Sequence, residues 1–292
     1  MYELIQVSAH DYYLDCPAKM GLVKLNDTDV VAIDSGSDRD AGKKLLRAVQ
    51  ANGWRLTAVF NTHSHADHIG GNKYLHDQTG CRIYAPGIEC DFTNHPILEP
   101  AALYGGFPPE GLRHKFLMAQ ESHAEPLTED ALPAGMRSIS LPGHSFDMVG
   151  FRTADDTVYL ADCLSSRETL EKYGVGYLWD VEAYLKTLAA VKEMRAACFV
   201  PAHAAATDEI APLAQFNIDA VEKIGEKIVS LCEEPIGFDD LLKGVFDTFS
   251  MQLNLQQYAL IGSTLRSYLA WLVKQGRIHI SFAENRLLWQ AV

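Results

Sequence analysis

Residues 62 to 68 read Thr62-His63-Ser64-His65-Ala66-Asp67-His68, and this stretch decides how the rest of the chain is read. Three imidazoles and a carboxylate so close together make poor core material, because each polar group taken out of water needs a partner. They make good metal ligands, since imidazole and carboxylate suit zinc, iron or manganese. An extended backbone sends alternate side chains to one side, so His63, His65 and Asp67 could converge, with a bend needed to bring in His68. Gly70-Gly71 follow directly and allow a close backbone turn.

Working outward, Thr57 to Phe60 reads as a short buried strand that empties into this loop. Before it, Tyr2 to Val7, Gly21 to Lys24 and Val30 to Ile33 read as strands, and Asp40 to Ala51 as a helix closed by Asn52-Gly53. After it, strands are expected at Arg82 to Ala85, Met136 to Leu141, Met148 to Arg152, Thr157 to Ala161 and Cys198 to Val200. Helices are expected at Asp180 to Arg195 and Asp208 to Cys232. Every further cluster of metal-ligand residue types sits just behind one of these strands, where layered folds hold their chemistry on loops.

The His63-x-His65-x-Asp67-His68 pattern resembles that of the metallo-β-lactamase fold hydrolases, and the rest of that family's signature follows in order. Asp34 in Val31-Ala32-Ile33-Asp34-Ser35-Gly36 resembles the first motif, His144 in Leu141-Pro142-Gly143-His144-Ser145 the third, Asp162 in Tyr159-Leu160-Ala161-Asp162 the fourth and His203 in Val200-Pro201-Ala202-His203 the fifth. The resemblance spans about residues 1 to 230 and implies an α/β fold, the four-layer αββα sandwich. It implies further that His63, His65 and His144 hold one metal and Asp67, His68 and His203 the other, with Asp162 bridging and Asp34 in support. The expected cofactors are two zinc ions, with iron or manganese as alternatives at either position. Their shared hydroxide would be the nucleophile, oriented by Asp67 and Asp162.

Within that family the glyoxalase II enzymes share this ligand set, which makes thioester hydrolysis a candidate activity. Their fifth motif continues Gly-His-Glu-Tyr-Thr, however, whereas here it is Ala202-His203-Ala204-Ala205-Ala206, and no clear basic pair for glutathione lies near the C-terminus. The antibiotic-cleaving zinc enzymes of the B1 type carry Cys where this chain has Asp162, and the flavodiiron oxidoreductases carry Glu where it has His65. Both departures favour a zinc-dependent hydrolase of a small ester, thioester or lactone.

The remaining features bound this reading. The 292 residues carry a formal charge of -13, which two divalent ions would bring only to about -9; such a surface opposes association with nucleic-acid phosphates or anionic membranes. No apolar run is long enough to span a membrane and no leader is evident, so a cytoplasmic protein is expected, with its six scattered cysteines reduced. Cys163, beside Asp162, is read as structural because neighbours on a strand point opposite ways. The other histidines, at 10, 76, 95, 114, 123 and 279, match no ligand position.

Residues 88 to about 135, with six prolines and no clear periodicity, read as an irregular insertion or lid within a catalytic domain of residues 1 to 234. The aromatics Tyr104, Phe107, Phe116, Tyr173, Tyr177 and Trp179 are read as packing groups rather than pocket walls. Residues 235 to 292 resemble a winged-helix module: helices at Asp239 to Phe249, near Leu255 to Leu260 and at Thr264 to Lys274, then a hairpin around Glu284-Asn285. Such a module suggests, as an alternative function, a nuclease-like enzyme that grips RNA. Its five basic residues (Lys243, Arg266, Lys274, Arg277, Arg286) against four acidic ones make no basic face, so packing or homodimerisation is the preferred role.

Overall fold

A computed structural model describes residues 2 to 292. Strands β1 (Glu3–Gln6), β2 (Asp11–Asp15), β3 (Met20–Lys24) and β4 (Asp29–Ile33) form an antiparallel meander. Helix α1 (Arg39–Ala51) then leads to β5 (Arg55–Phe60), which lies parallel to β4. The short helices α2 (Ala66–Ile69) and α3 (Asn72–Thr79) precede β6 (Arg82–Ala85). The stretch from 88 to 135 holds α4 (Glu89–Asn94), α5 (Leu98–Tyr104), two single 3-10 turns and the edge strand β7 (Glu125–Pro126). These seven strands make one mixed sheet in sequence order.

The second sheet has the order β11-β10-β9-β8, from β8 (Arg137–Ser140), β9 (Val149–Arg152), β10 (Thr157–Ser165) and β11 (Cys198–His203). Helices α6 (Arg167–Tyr173) and α7 (Val181–Glu193) connect β10 to β11, and α8 (Ala211–Leu231) follows.

Strand periodicity explains the layering. Along β4, Val31 and Ile33 face the second sheet while Val30 and Ala32 face α1 and α3. Phe60 and Phe151 meet edge-on between the sheets, 6.1 Å apart. Gly21 lets the sheets close at one point, because a Cβ there would lie 2.7 Å from the Tyr159 ring. The outer face of the second sheet is covered by α7 and α8 through Leu188, Val191, Val221 and Ile228. The result is the expected αββα sandwich.

The tail differs from expectation in one respect. Helix α9 (Phe238–Thr248) is followed by a single α10 (Leu255–Lys274), not by two helices. This merges two of the helices on which the winged-helix expectation rests. Gly262, which falls in the expected break, is buried in mid-helix near the Leu242 side chain, so tertiary packing overrides its weak helix propensity. The hairpin of β12 (Ile278–Ala283) and β13 (Arg286–Ala291) turns at Glu284 and Asn285, both with positive φ, as a two-residue hairpin loop requires. Leu241, Phe246, Leu269 and Ile278 share one hydrophobic cluster with Val158, Leu160 and Cys163 of β10, so Cys163 is indeed a core residue. All six cysteines are free, and among the described residues no helix is long and apolar enough to cross a membrane.

Candidate metal centre

The C-terminal ends of β4, β5, β8, β10 and β11 converge at one rim of the sandwich, and each delivers one part of the site. From β5 the chain runs extended through His65, which caps the single turn of α2. His63 and His65 therefore alternate as expected. Asp67 and His68 are instead presented by the helical turn, in which His68 N donates to His65 O.

Seven side chains gather in two groups, each able to hold a metal ion: His63, His65, His144 and Asp162, and Asp67, His68, Asp162 and His203. These are the seven residues singled out from the sequence. His63 Nε2 and His144 Nε2 each lie 3.0 Å from His65 Nδ1. Asp162 Oδ1 is 3.0 Å from His68 Nε2, and Asp162 Oδ2 is 3.2 Å from His203 Nε2 and 3.5 Å from His144 Nε2.

Asp162 owes its position to a bulge. Val158 and Leu160 face the outer core, and an unbroken strand would turn Asp162 the same way. Ala161 instead adopts a positive φ of 49° where the pairing with β11 shifts register, and the phase reverses so that Cys163 takes the core position. A left-handed alanine is strained by roughly 1–2 kcal/mol. Such strain persists only where the surroundings impose it.

The far nitrogens of the imidazoles are held as well. His68 Nδ1 lies 2.8 Å from Asp34 Oδ2, His203 Nδ1 2.7 Å from Pro17 O, His63 Nδ1 3.0 Å from Thr62 Oγ1 and His65 Nε2 3.5 Å from Glu99 Oε1. Asp34, with φ of 62°, also accepts from Thr62 N and Oγ1 and stands outside both groups, as a supporting residue should. The bonds to His63, His68 and His203 fix which nitrogen of those rings faces inward, as metal-binding histidines require, and Glu99 faces the outer nitrogen of His65.

The electrostatics fit cations at both positions. Burial drives His65 down to about 4 and His144 to about 3, and burial together with the His68 charge takes His63 well below its usual range. Three neutral imidazoles thus point lone pairs at one spot. In the other group, the Asp162 carboxylate lifts His203 to about 10. Complete burial works against charging His68, yet Asp162, Asp67 and Asp34 raise it well above the usual value. Burial opposes the charge on Asp67 too, but His68 and His203 hold it at about 2. Protons here do the charge balancing that a metal would do. His68 Nε2 and Asp162 Oδ1 are buried and face each other at 3.0 Å without a well-aligned hydrogen bond, and a shared cation would take up both.

Glu89 escaped the reading of the sequence. It is fully buried, and one oxygen accepts from Ser64 N and Ser64 Oγ while the other accepts from Ser145 Oγ and Asp147 N. Ser64 lies between His63 and His65, and Ser145 follows His144, so one carboxylate ties together the two loops that carry the first ligand group. No motif surrounds Glu89, and nothing in its neighbourhood could have marked it. Of the aromatics read as packing groups, Tyr177 does pack, against the Leu103, Leu112, Leu117 and Ala259 cluster, and with Phe116 and Glu99 it also lines a cavity beside His65 and Asp67. Trp179 does pack, on Phe146 at 4.1 Å. The other six histidines stay outside both groups.

A family model described as the Metallo-beta-lactamase superfamily matches residues 14–203, and the chain belongs to that superfamily. It is similar to two proteins called hydroxyacylglutathione hydrolase: that of Methylococcus capsulatus, 31% identical over 48% of this chain and 43% of the relative, and that of Rhodospirillum rubrum, 26% identical over 58% and 57%. The chain thus spans about half the length of these curated relatives. Among solved structures it resembles a metallo-beta-lactamase family protein of Thermus thermophilus (TM-score 0.73, 15% identity, covering 98% of this chain and 100% of that one). A beta-lactamase domain protein of Burkholderia ambifaria is also similar (TM-score 0.72, 17% identity, 99% and 94%). At these identities the likeness speaks for the fold alone, and it extends through the tail.

Two outcomes are expected. Glu89→Gln places an amide NH2 against donors in a fully buried site, so the metal-free protein should lose roughly 1–3 kcal/mol of stability and metal affinity should fall by about 10- to 100-fold. Chelator competition and calorimetry read these separately, and unchanged affinity would contradict the clamp. Because a cation must displace the His203 proton, held up to about pH 10, binding in the second group should weaken as pH falls from 8 to 6; in the first group His65 and His144 ionise only near 4 and 3, which leaves Glu99, raised by burial to about 8 beside His65, to give a shallower dependence. Titration calorimetry in buffers of different ionisation enthalpy should show more protons released with the second-group metal than with the first. Equal release for both would contradict the assignment.

Proposed function

We propose that the protein is a dinuclear metal-dependent hydrolase that cleaves a small ester, thioester or lactone. The observation that carries this reading is the reach of Asp162, whose two oxygens contact histidines of both groups. Two divalent ions held there, most simply zinc, would acidify a shared water and polarise an acyl carbonyl.

The chain's own residues divide the remaining work. Asp162, buried and shared, fixes the spacing of the two groups. Asp67 is the more open carboxylate and lines the adjoining cavity, where it can orient the attacking water and carry its proton to the leaving group. Water adds to the acyl carbon, the C–O or C–S bond breaks, and the departing oxygen or sulfur receives that proton. The hydroxyacylglutathione hydrolases to which the chain is similar favour a thioester within this set.

Cleavage of RNA through the tail has less support. Lys243 pairs with Asp247, Lys274 with Glu182 and Arg277 with Glu226, and Arg266 lies on the Phe238 ring. Four of the five tail cations that would have to meet phosphates are thus already engaged, which leaves Arg286 alone.

Asp162→Asn tests the proposal. Metal content should drop from about two equivalents to one or fewer, and kcat/KM on a panel of esters, thioesters and lactones should fall by about two orders of magnitude or more. Two retained metals with full activity, or wild-type turnover of phosphodiesters alone, would overturn it.

A further inference from the structure

A cavity of about 130 Å³ opens directly beside His65 and Asp67. Its walls come from three separate parts of the chain: Glu99, Phe116 and Leu117 from the 88 to 135 segment, Tyr177 from the loop before α7, and Gln256 and Leu260 from α10. Tyr177 packs edge-on against His65 and His144, at 5.3 and 5.8 Å, so the aromatic wall reaches the first ligand group.

The tail helix fixes this wall from behind. Thr264 Oγ1 accepts from Leu178 N, and Ser267 Oγ donates to Trp179 O. Trp179 N in turn donates to Gly143 O, next to His144. Leu103, Leu112 and Leu117 pack on Ala259 with Tyr177 and Leu260 alongside, which joins the insertion to the tail over the cavity.

We infer that this cavity is the acyl subsite of the hydrolase proposed above, that it takes a short, uncharged aliphatic acyl group, and that Leu260 of the tail limits its length. The inference rests on the hydrolytic reading for the word acyl. Size argues for the short chain, since a dry cavity of about 150 Å³ accommodates benzene, six heavy atoms; an acyl group of about four to six carbons fills a comparable space. Polarity argues for the absence of charge. Beyond the end formed by His65 and Asp67 no lysine or arginine lines the cavity and Glu99 stands in its wall, so a carboxylate at the far end of the acyl chain would lose water against Phe116, Leu117, Tyr177 and Leu260 with no cationic side chain to meet it. Lys115, the adjacent cation, lies over the Phe116 ring and is paired with Asp38 at 3.0 Å. Phe116, two-thirds exposed, marks the mouth through which a leaving group would extend.

The test has two arms on the metal-loaded protein. In the first, thioesters and p-nitrophenyl esters carrying acetyl, butyryl, hexanoyl, decanoyl and succinyl groups are compared by kcat/KM. Butyryl or hexanoyl should exceed both decanoyl and succinyl by at least about tenfold. In the second, binding of alkyl hydroxamic acids of the same chain lengths is measured by calorimetry without turnover, and the same length preference should appear. Leu260→Ala should move the preference towards longer chains in both arms, and Leu260→Phe towards shorter ones, with metal content unchanged. Equal use of decanoyl and butyryl, equal use of succinyl and butyryl, or a preference that neither variant moves would overturn the subsite. If no ester or thioester turns over while the hydroxamates keep their length preference, the hydrolytic reading fails and the subsite survives as a binding pocket.

Discussion

Asp162 touches both halves of the centre, and the chain brings it there through a single backbone irregularity. Along β10 the alternation that sends Val158 and Leu160 into the outer core would carry Asp162 with them; a carboxylate in that cluster would be desolvated with nothing to pair it. The left-handed turn at Ala161 reverses the phase, giving the core Cys163 and the rim Asp162. The other groups are arranged around that carboxylate. His68 leans on one of its oxygens, His203 and His144 approach the other, and Asp67 faces the same His68 and His203. Desolvation is what gives the arrangement its chemistry, because lone pairs that water no longer satisfies are available to a cation.

How much of this the sequence carried can be judged residue by residue. The four ligands between His63 and His68 were legible because histidine and aspartate at such short fixed spacing have few other uses, whereas His144, Asp162 and His203, isolated in the chain, were legible only through the resemblance to the metallo-β-lactamase motifs. The strands around them were legible from short runs of β-branched residues between turn signals, as at Val30 to Ile33. The strand Asp11–Asp15 was not, since Asp-Tyr-Tyr-Leu-Asp shows no alternation and is held by pairing with both neighbours. The short helices between 88 and 135 were also hidden. Their order depends on burial of Leu103, Leu112 and Leu117 against the tail, which is a property of tertiary contact and not of local pattern. For the same reason Glu89 and Glu99 carried no signal: their importance lies in what the fold sets opposite them.

The insertion and the tail, distant in sequence, act together in the structure. Each supplies one side of the cavity beside His65 and Asp67, and the tail also anchors the loop that carries Tyr177. This gives the tail a role that its charge balance alone did not reveal. Four of its five cations are taken up by Asp247, Glu182, Glu226 and the Phe238 ring, while its apolar face closes the site. A sandwich rim that fixes the chemistry and a separate roof that shapes the substrate space are a common division of labour in folds whose loops carry function.

The most direct test of the account is a crystal structure of the metal-loaded protein with anomalous data collected at the absorption edge of the bound metal. The account predicts two peaks about 3.5–4 Å apart, one among His63, His65 and His144, the other among Asp67, His68 and His203, with Asp162 reaching both. A single peak, or two peaks with Asp162 turned away from either, would contradict it.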